Sequence, residues 1–281
     1  MSGDEPQRRI RLCADDYGIS PGVNRAIRDL IERERINATS VMVVGPAAGR
    51  DEVEALKSAG ARHPHCAIGL HLTLTAPFHP LTLHYRPLDG GLFLPLSKML
   101  RASLSRRLEP EMIFDEVTAQ IGAFVERFGR APEYVDGHQH VQIFPQVRGA
   151  FLTAVKTAAP DAWVRQCGRS RHPLTQQFAA PKALLLDLLS AGFRRHAARA
   201  GIRFNPAFAG AYDFAQSDFA ALMQGFLNGL PDDGLIMCHP GFVDEILLAL
   251  DPLTDQRERE YEFLAGDSFG DMLIANRVTL G

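Results

Sequence analysis

Short apolar runs alternate along this chain with longer amphipathic stretches. Ile10 leads into a first strand at 11–14, and the charged run Arg8 to Arg11 reads as the start of that strand. Ser20-Pro21 then opens a helix, because serine can cap free amides and proline suits the first helical position. Val23, Ile27, Leu30 and Ile31 recur at helical spacing on its buried face. The β-branched segment 38–44 predicts a second strand, 51–59 a short helix and 66–74 a third strand. Glu109-Pro110 starts a helix reaching Phe128, with Ile113, Val117, Ile121, Phe124 and Val125 along one side. A strand end at Tyr134-Val135 follows, then a helix from Pro145 to Lys156 and a short strand at 163–165. Helices at 181–200 and 218–227, a buried strand at 235–238 and a last helix at 255–265 complete the pattern. Two excursions interrupt it, 76–96 (rich in Pro, Gly and His) and 168–180 (irregular and basic). Long irregular segments in compact domains are often functional.

Strand and helix in alternation predict parallel strands with helical crossovers, hence an α/β fold. Asp15, His71, His138 and His239 each follow a predicted strand. Polar strand ends on one rim favour an irregular TIM-like (β/α) barrel with its site at the C-terminal ends of the strands. An open doubly wound sheet is the alternative. No GxGxxG or GxxxxGK[ST] loop is present, which argues against a nucleotide fold.

Composition narrows the picture further. With 281 residues and 46% hydrophobic positions, the chain can build a large core. A net charge of -3 and the lack of a basic stripe give no reason to expect a nucleic-acid partner. The cysteines Cys13, Cys66, Cys167 and Cys238 are too scattered for a disulfide framework or a cysteine zinc cage, and read as buried thiols. The polar start MSGDEPQ lacks the apolar run of a signal peptide, and no stretch nears the roughly 18 apolar residues of a membrane span. The expectation is a soluble, cytoplasmic protein. The apolar stretch Ala183 to Leu189 reads as core, with a homo-oligomer interface as its other use.

Four short segments carry the chemistry. Asp15 and Asp16 end an apolar strand, where adjacent carboxylates are costly to bury unless paired or metal-bound. In 69–75 strand alternation puts His71, Thr73 and Thr75 on one face and Leu70, Leu72 and Leu74 on the other. The same alternation groups Asp136, His138 and His140. His239 ends a strand just before a Pro-Gly turn. One carboxylate and two imidazoles from separate strand ends make an open, catalytic type of metal site, leaving a second aspartate as base. A water on such a metal can ionise near pH 7. No GxSxG elbow competes with this reading. Two other readings remain: a glycosidase using Asp15 or Asp16 with a further carboxylate, and a sugar-binding barrel that keeps a metal without catalysis.

The segments 14–24, 69–75, 136–141 and 237–241, taken in order, resemble the YdjC-like carbohydrate deacetylase family, as does 38–42. The resemblance runs over roughly 9–265 and implies one deacetylase domain across 1–281. It implies an irregular (β/α) barrel, one divalent metal ion (magnesium or zinc) and hydrolysis of N-acetyl groups on amino sugars. Carried over by motif, Asp16, His71 and His138 would hold the metal, Asp15 would be the base and His239 the acid. Arg165 would contact substrate or orient a carboxylate, and Thr73 and His140 would line the substrate site. Gly137 stands where the family usually has serine, and Ala76-Pro77-Phe78 where a glycine is common.

Overall fold

β1 (Arg8–Tyr17) is the longest strand, and almost every residue from Leu12 onward is buried. It can be buried so completely because it is central. In the computed structural model, which describes residues 7–169, 181–214 and 216–281, β1 pairs in parallel with three other strands. Residues 1–6 and 170–180 lie outside the described residues, and with them most of the second expected excursion.

From the N-terminus the elements are β1, α1 (Pro21–Glu32), β2 (Ala38–Val41), α2 (Arg50–Arg62) and β3 (Ala67–Leu72). The first excursion follows, holding a small hairpin of β4 (Leu88–Asp89) and β5 (Leu92–Phe93). Next come α3 (Leu96–Leu104), α4 (Pro110–Phe128), β6 (Tyr134–Gly137), a 3-10 segment His138–Ile143, α5 (Val147–Ala158) and β7 (Trp163–Val164). The remainder is α6 (Pro181–Ala200), β8 (Phe208–Ala209), α7 (Phe219–Leu227), β9 (Leu235–Cys238), α8 (Glu245–Leu250), α9 (Asp255–Ala265), α10 (Asp267–Ala275) and β10 (Val278–Leu280).

The main sheet has the order β7-β6-β3-β2-β1-β9-β8, with β10 paired beside the first residues of β1. Its strands run parallel, and helices cover the outside, as the alternation predicts. The sheet curls into a half-barrel. Its outer strands are joined by irregular chain: Val164 bridges Phe204, and the Phe208 N–H donates to the Gly168 carbonyl at 3.1 Å. The fold is thus the α/β barrel-like arrangement, with irregular closure.

Local chemistry explains the better-placed boundaries. The Ser20 hydroxyl accepts from the Val23 N–H at 3.3 Å and caps α1, and Asp218 caps α7 in the same way. Gly129, at φ 71°, ends α4. Several elements go beyond the sequence expectation, among them α3, β8 and α8. The helix at 255–265 is followed by α10 and β10, and the excursion contains its own hairpin. In α6, Leu186 and Leu189 pack inward while Leu184 and Leu188 face out, so the 183–189 stretch is only half core. No helix among the described residues is long and apolar enough to cross a membrane.

Candidate metal centre and active site

Asp15 and Asp16 would point to opposite faces of a regular strand. The register of β1 against β2 shifts between Ala14 and Tyr17, and Asp16 takes φ 68°. Aspartate tolerates that left-handed conformation better than most residues. The irregularity turns both carboxylates into the buried end of the sheet. His71 closes β3, Asp136 lies near the end of β6, His138 follows β6, Arg165 follows β7 and His239 follows β9. All stand at the C-terminal ends of parallel strands, where barrel folds carry their sites.

Asp16, His71 and His138 come together with donor atoms within 4.8 Å of one another. Asp16 Oδ1 lies 3.2 Å from His71 Nε2 and 3.0 Å from His138 Nδ1. His71 Nδ1 faces Asp136 Oδ1 at 2.6 Å and Ser40 Oγ at 3.0 Å. That support fixes the ring and leaves Nε2 toward Asp16, the arrangement expected behind a metal-ligating imidazole. The set fits one divalent ion.

Charge points the same way. Asp15, Asp16 and Asp136 are buried carboxylates, and Arg165 and Arg257 are buried guanidiniums. Arg257 also bonds Asp251, so the acidic groups of the cluster outnumber its two guanidiniums, an excess that a further cation would meet. Without an ion, a proton on His71 meets that need. Burial works against it, but Asp136 and Asp15 raise His71 to about 10. An ion entering the cluster therefore displaces that proton.

Arg165 is fully buried and grips Asp15 with two bonds, NH1 to Oδ2 and NH2 to Oδ1, each 2.6 Å. NH2 is also 2.5 Å from Asp136 Oδ2 and 2.9 Å from Cys13 Sγ. Of the two roles open to it from sequence, this geometry is that of orienting a carboxylate. Burial alone would raise Asp15, yet Arg165, then His71, hold it well below the usual carboxylate range. Asp16 is held low too, against burial, by Arg257 and then His138. His239 is half-buried, and desolvation lowers its imidazole to about 4. The four cysteines are free and buried, and burial pushes Cys66 and Cys167 up to about 12, so they are thiols without nucleophilic character.

Two expected site residues, Thr73 and His140, make local contacts beside the cluster. Thr73 is buried, but its N–H donates to Gln120 Oε1 at 3.1 Å and its hydroxyl to the His71 carbonyl at 3.1 Å. His140 does not continue the alternation of Asp136 and His138. β6 ends at Gly137, and Gln139 and His140 take φ of 54° and 60°, which swings the His140 ring edge-on to Phe208 at 5.4 Å. Gly137 itself has a local reason: a Cβ there would lie 2.5 Å from Gln142 Oε1. Gln142 Nε2 in turn donates to the Arg165 carbonyl at 3.2 Å.

Sequence reasoning passed over Arg257 and Glu260. Arg257 NH2 donates to Asp16 Oδ2 at 2.6 Å. Glu260 Oε2 accepts the His239 N–H at 2.5 Å. The excursion supplies one wall. Phe78 is buried edge-on to His138, with ring centres 5.9 Å apart. Glu116 of α4 fastens the excursion, accepting from the Leu81 N–H at 3.0 Å, the Thr82 N–H at 2.9 Å and the Thr82 hydroxyl at 2.8 Å.

Comparison with known proteins agrees with this architecture. A "Chitooligosaccharide deacetylase" of Yersinia enterocolitica is 28% identical over 247 residues, covering 86% of this chain and 85% of that protein. A protein of the same name from Klebsiella pneumoniae is 25% identical over 249 residues, with 86% and 85% covered. The fold matches a crystal structure from Enterococcus faecalis V583, provisionally described as a cellobiose-phosphate cleavage protein, with a TM-score of 0.71. That match has 22% identity and covers 98% of this chain and 97% of the other. The family model described as "YdjC-like protein" matches residues 9–275. The chain belongs to the YdjC-like family.

Proposed function

We propose that this protein removes acetyl groups from N-acetylated amino sugars by metal-assisted hydrolysis. The observation that carries the reading is the joining of Asp16, His71 and His138 at strand ends, with Asp15 beside them on Arg165. The similarity to chitooligosaccharide deacetylases names the substrate class. The three ligands would hold one divalent ion, and two imidazoles among three donors suit zinc better than magnesium. Such an ion supplies Lewis-acid polarisation of the acetyl carbonyl and a more acidic water.

The chain's own groups handle the protons. Asp15 is ionised and His239 neutral at pH 7, so each can accept the proton that water loses on attack. Both hold a proton weakly, which makes the protonated group a strong acid toward the departing nitrogen. The C–N bond breaks, the nitrogen gains the proton, and acetate and a free amino sugar are the products. In this reading Asp15 takes the proton that water loses, His239 relays that same proton to the departing nitrogen, and both groups end in the protonation state in which they began. Arg165 keeps Asp15 ionised and aimed.

A glycosidase would need one carboxyl kept protonated. Asp15 and Asp16 are both held low, and the further buried carboxyl that is raised, Glu260, has its two oxygens bonded to the Tyr212 hydroxyl and the His239 N–H rather than turned to a substrate. The test is acetate release from N-acetylated chitooligosaccharides, with and without chelator, followed by zinc or magnesium add-back. Release that chelator stops and metal restores is the expected result. Bound metal and bound sugar without acetate would overturn the catalytic reading in favour of a sugar-binding barrel.

A further inference from the structure

α9 reaches both ends of the reaction centre from outside the sheet. Arg257 and Glu260 stand three residues apart on it, and both side chains are fully buried. Residues at that spacing lie on one helix face. Arg257 donates through NH2 to Asp16 Oδ2 and to Asp251 Oδ2, each at 2.6 Å, and through Nε to the Leu253 carbonyl at 3.0 Å. Its own carbonyl accepts the Gly241 N–H at 3.1 Å, two residues past His239. Glu260 spends one oxygen on the His239 N–H and the other on the Tyr212 hydroxyl, each at 2.5 Å.

A fully buried carboxyl is a poor choice for packing alone, since an apolar side chain would fill the space without desolvating a charge. Burial raises Glu260 to about 7, against its bonds to Tyr212 and the His239 backbone. What the carboxyl provides is a fixed position for its two partners. Tyr212 packs on Phe214 with ring centres 4.4 Å apart, and Phe214 meets the His239 ring edge-on at 5.5 Å. Glu260 therefore holds His239 directly through its backbone and, by way of Tyr212 and Phe214, from its ring.

We propose that Glu260 is a positioning residue for His239, and that α9 sets the spacing between Asp16 and His239 through Arg257 and Glu260. This rests on the deacetylase reading above, in which Asp16 would hold the metal and His239 carries the proton to the departing nitrogen. Small displacements of such groups are costly to rate. Glu260 touches neither substrate nor metal in this scheme; it acts through His239.

The decisive variant is Glu260→Met, which fills the same volume without an acceptor. It lowers kcat by about 10- to 100-fold, in the range seen for supporting partners of catalytic groups. KM and bound metal stay at wild-type values. Glu260→Gln restores most of kcat, because its amide oxygen still accepts the His239 N–H. In a His239→Ala background, Glu260→Met adds no further loss.

¹⁵N NMR gives a readout free of activity. In Glu260→Met the His239 amide proton moves upfield, and the ring resonances shift as the ring loses its fixed place against Phe214. In Glu260→Gln both stay near wild type. If Glu260→Met does not fold, Glu260→Asp, with its carboxylate drawn back by one methylene, moves the same signals by smaller amounts. Losses that persist undiminished in the His239→Ala background, or His239 signals unmoved in folded Glu260→Met, overturn the proposal. A wild-type protein that releases no acetate while the His239 signals move as stated counts against the deacetylase reading and leaves the anchor standing.

Discussion

On one side of the buried polar cluster, Cys13, Asp15 and Asp136 gather around the Arg165 guanidinium; on the other, Asp16, His71 and His138 converge, with Arg257 on the far oxygen of Asp16. In each set, donor atoms lie within 4.8 Å of one another, close enough to grip an ion. The first set already contains a cation belonging to the chain. A guanidinium neutralises carboxylates permanently and cannot polarise a carbonyl as a metal does. The second set has a guanidinium on one Asp16 oxygen only; the other oxygen faces the imidazole nitrogens of His71 and His138, which are donors that an ion can use. The comparison teaches that similar ligand geometry does not define a metal site. The source of the compensating charge does.

Removing a ligand from the second set has the largest expected effect. Asp16→Asn keeps a residue tolerant of φ 68° and removes the negative charge. It should empty the metal site by elemental analysis and lower acetate release by about a thousandfold or more, the several kcal/mol a catalytic metal supplies. Full metal content in that variant would break the comparison, because the ion would then sit elsewhere. Next comes Arg165→Met, which strips the first set of its cation. Two buried carboxylates lose their partner, and urea unfolding should show a loss of about 3–5 kcal/mol. An unchanged midpoint would mean that Asp15 and Asp136 are not compensated by Arg165.

The smallest effect sharpens the rule from outside both sets. Glu260 is buried with Tyr212 and the His239 amide as its bonded partners, with Arg257, Asp15 and Cys238 acting at longer range. Its pKa rises from 4.5 to about 7, whereas Asp15 and Asp16, beside guanidiniums, fall. A raised folded value favours the protonated form. The stability it contributes is therefore complete below pH 4.5 and is lost as pH rises through about 7. The loss is about 3 kcal/mol at most by pH 8. Glu260→Gln cannot ionise. Its melting temperature relative to wild type should thus be higher at pH 8 than at pH 5, and a difference that stays flat with pH would contradict the assignment.

Much of the frame was legible because the periodicities are local. Ser20, Pro110 and the apolar run 235–238 mark their elements without help from the rest of the chain. The grouping of Asp16, His71 and His138 was legible for a related reason: each sits where an apolar strand ends, and a polar residue there has few structural uses. His140 was misplaced because alternation holds only while the strand lasts, and β6 stops at Gly137. Arg257 and Glu260 left no local trace. In the sequence DQREREYEF nearly every position is charged or polar, which reads as a solvated helix face. Only the packing of α9 against the strand ends shows that two of those charges point inward.

The fastening of the excursion by Glu116 divides the labour of the site between two separately anchored parts. The cluster belongs to the sheet, while the wall that carries Phe78 is tied to α4 by Glu116 and, through His84, by Asp115. A change in the length or composition of 76–96 that keeps this clasp would re-cut the wall beside His138 and leave Asp16, His71 and His138 where they are. Preference for different acylated sugars can therefore diverge by loop exchange on an unaltered reaction centre, and a graft of that segment from a relative is the natural unit for redesigning it.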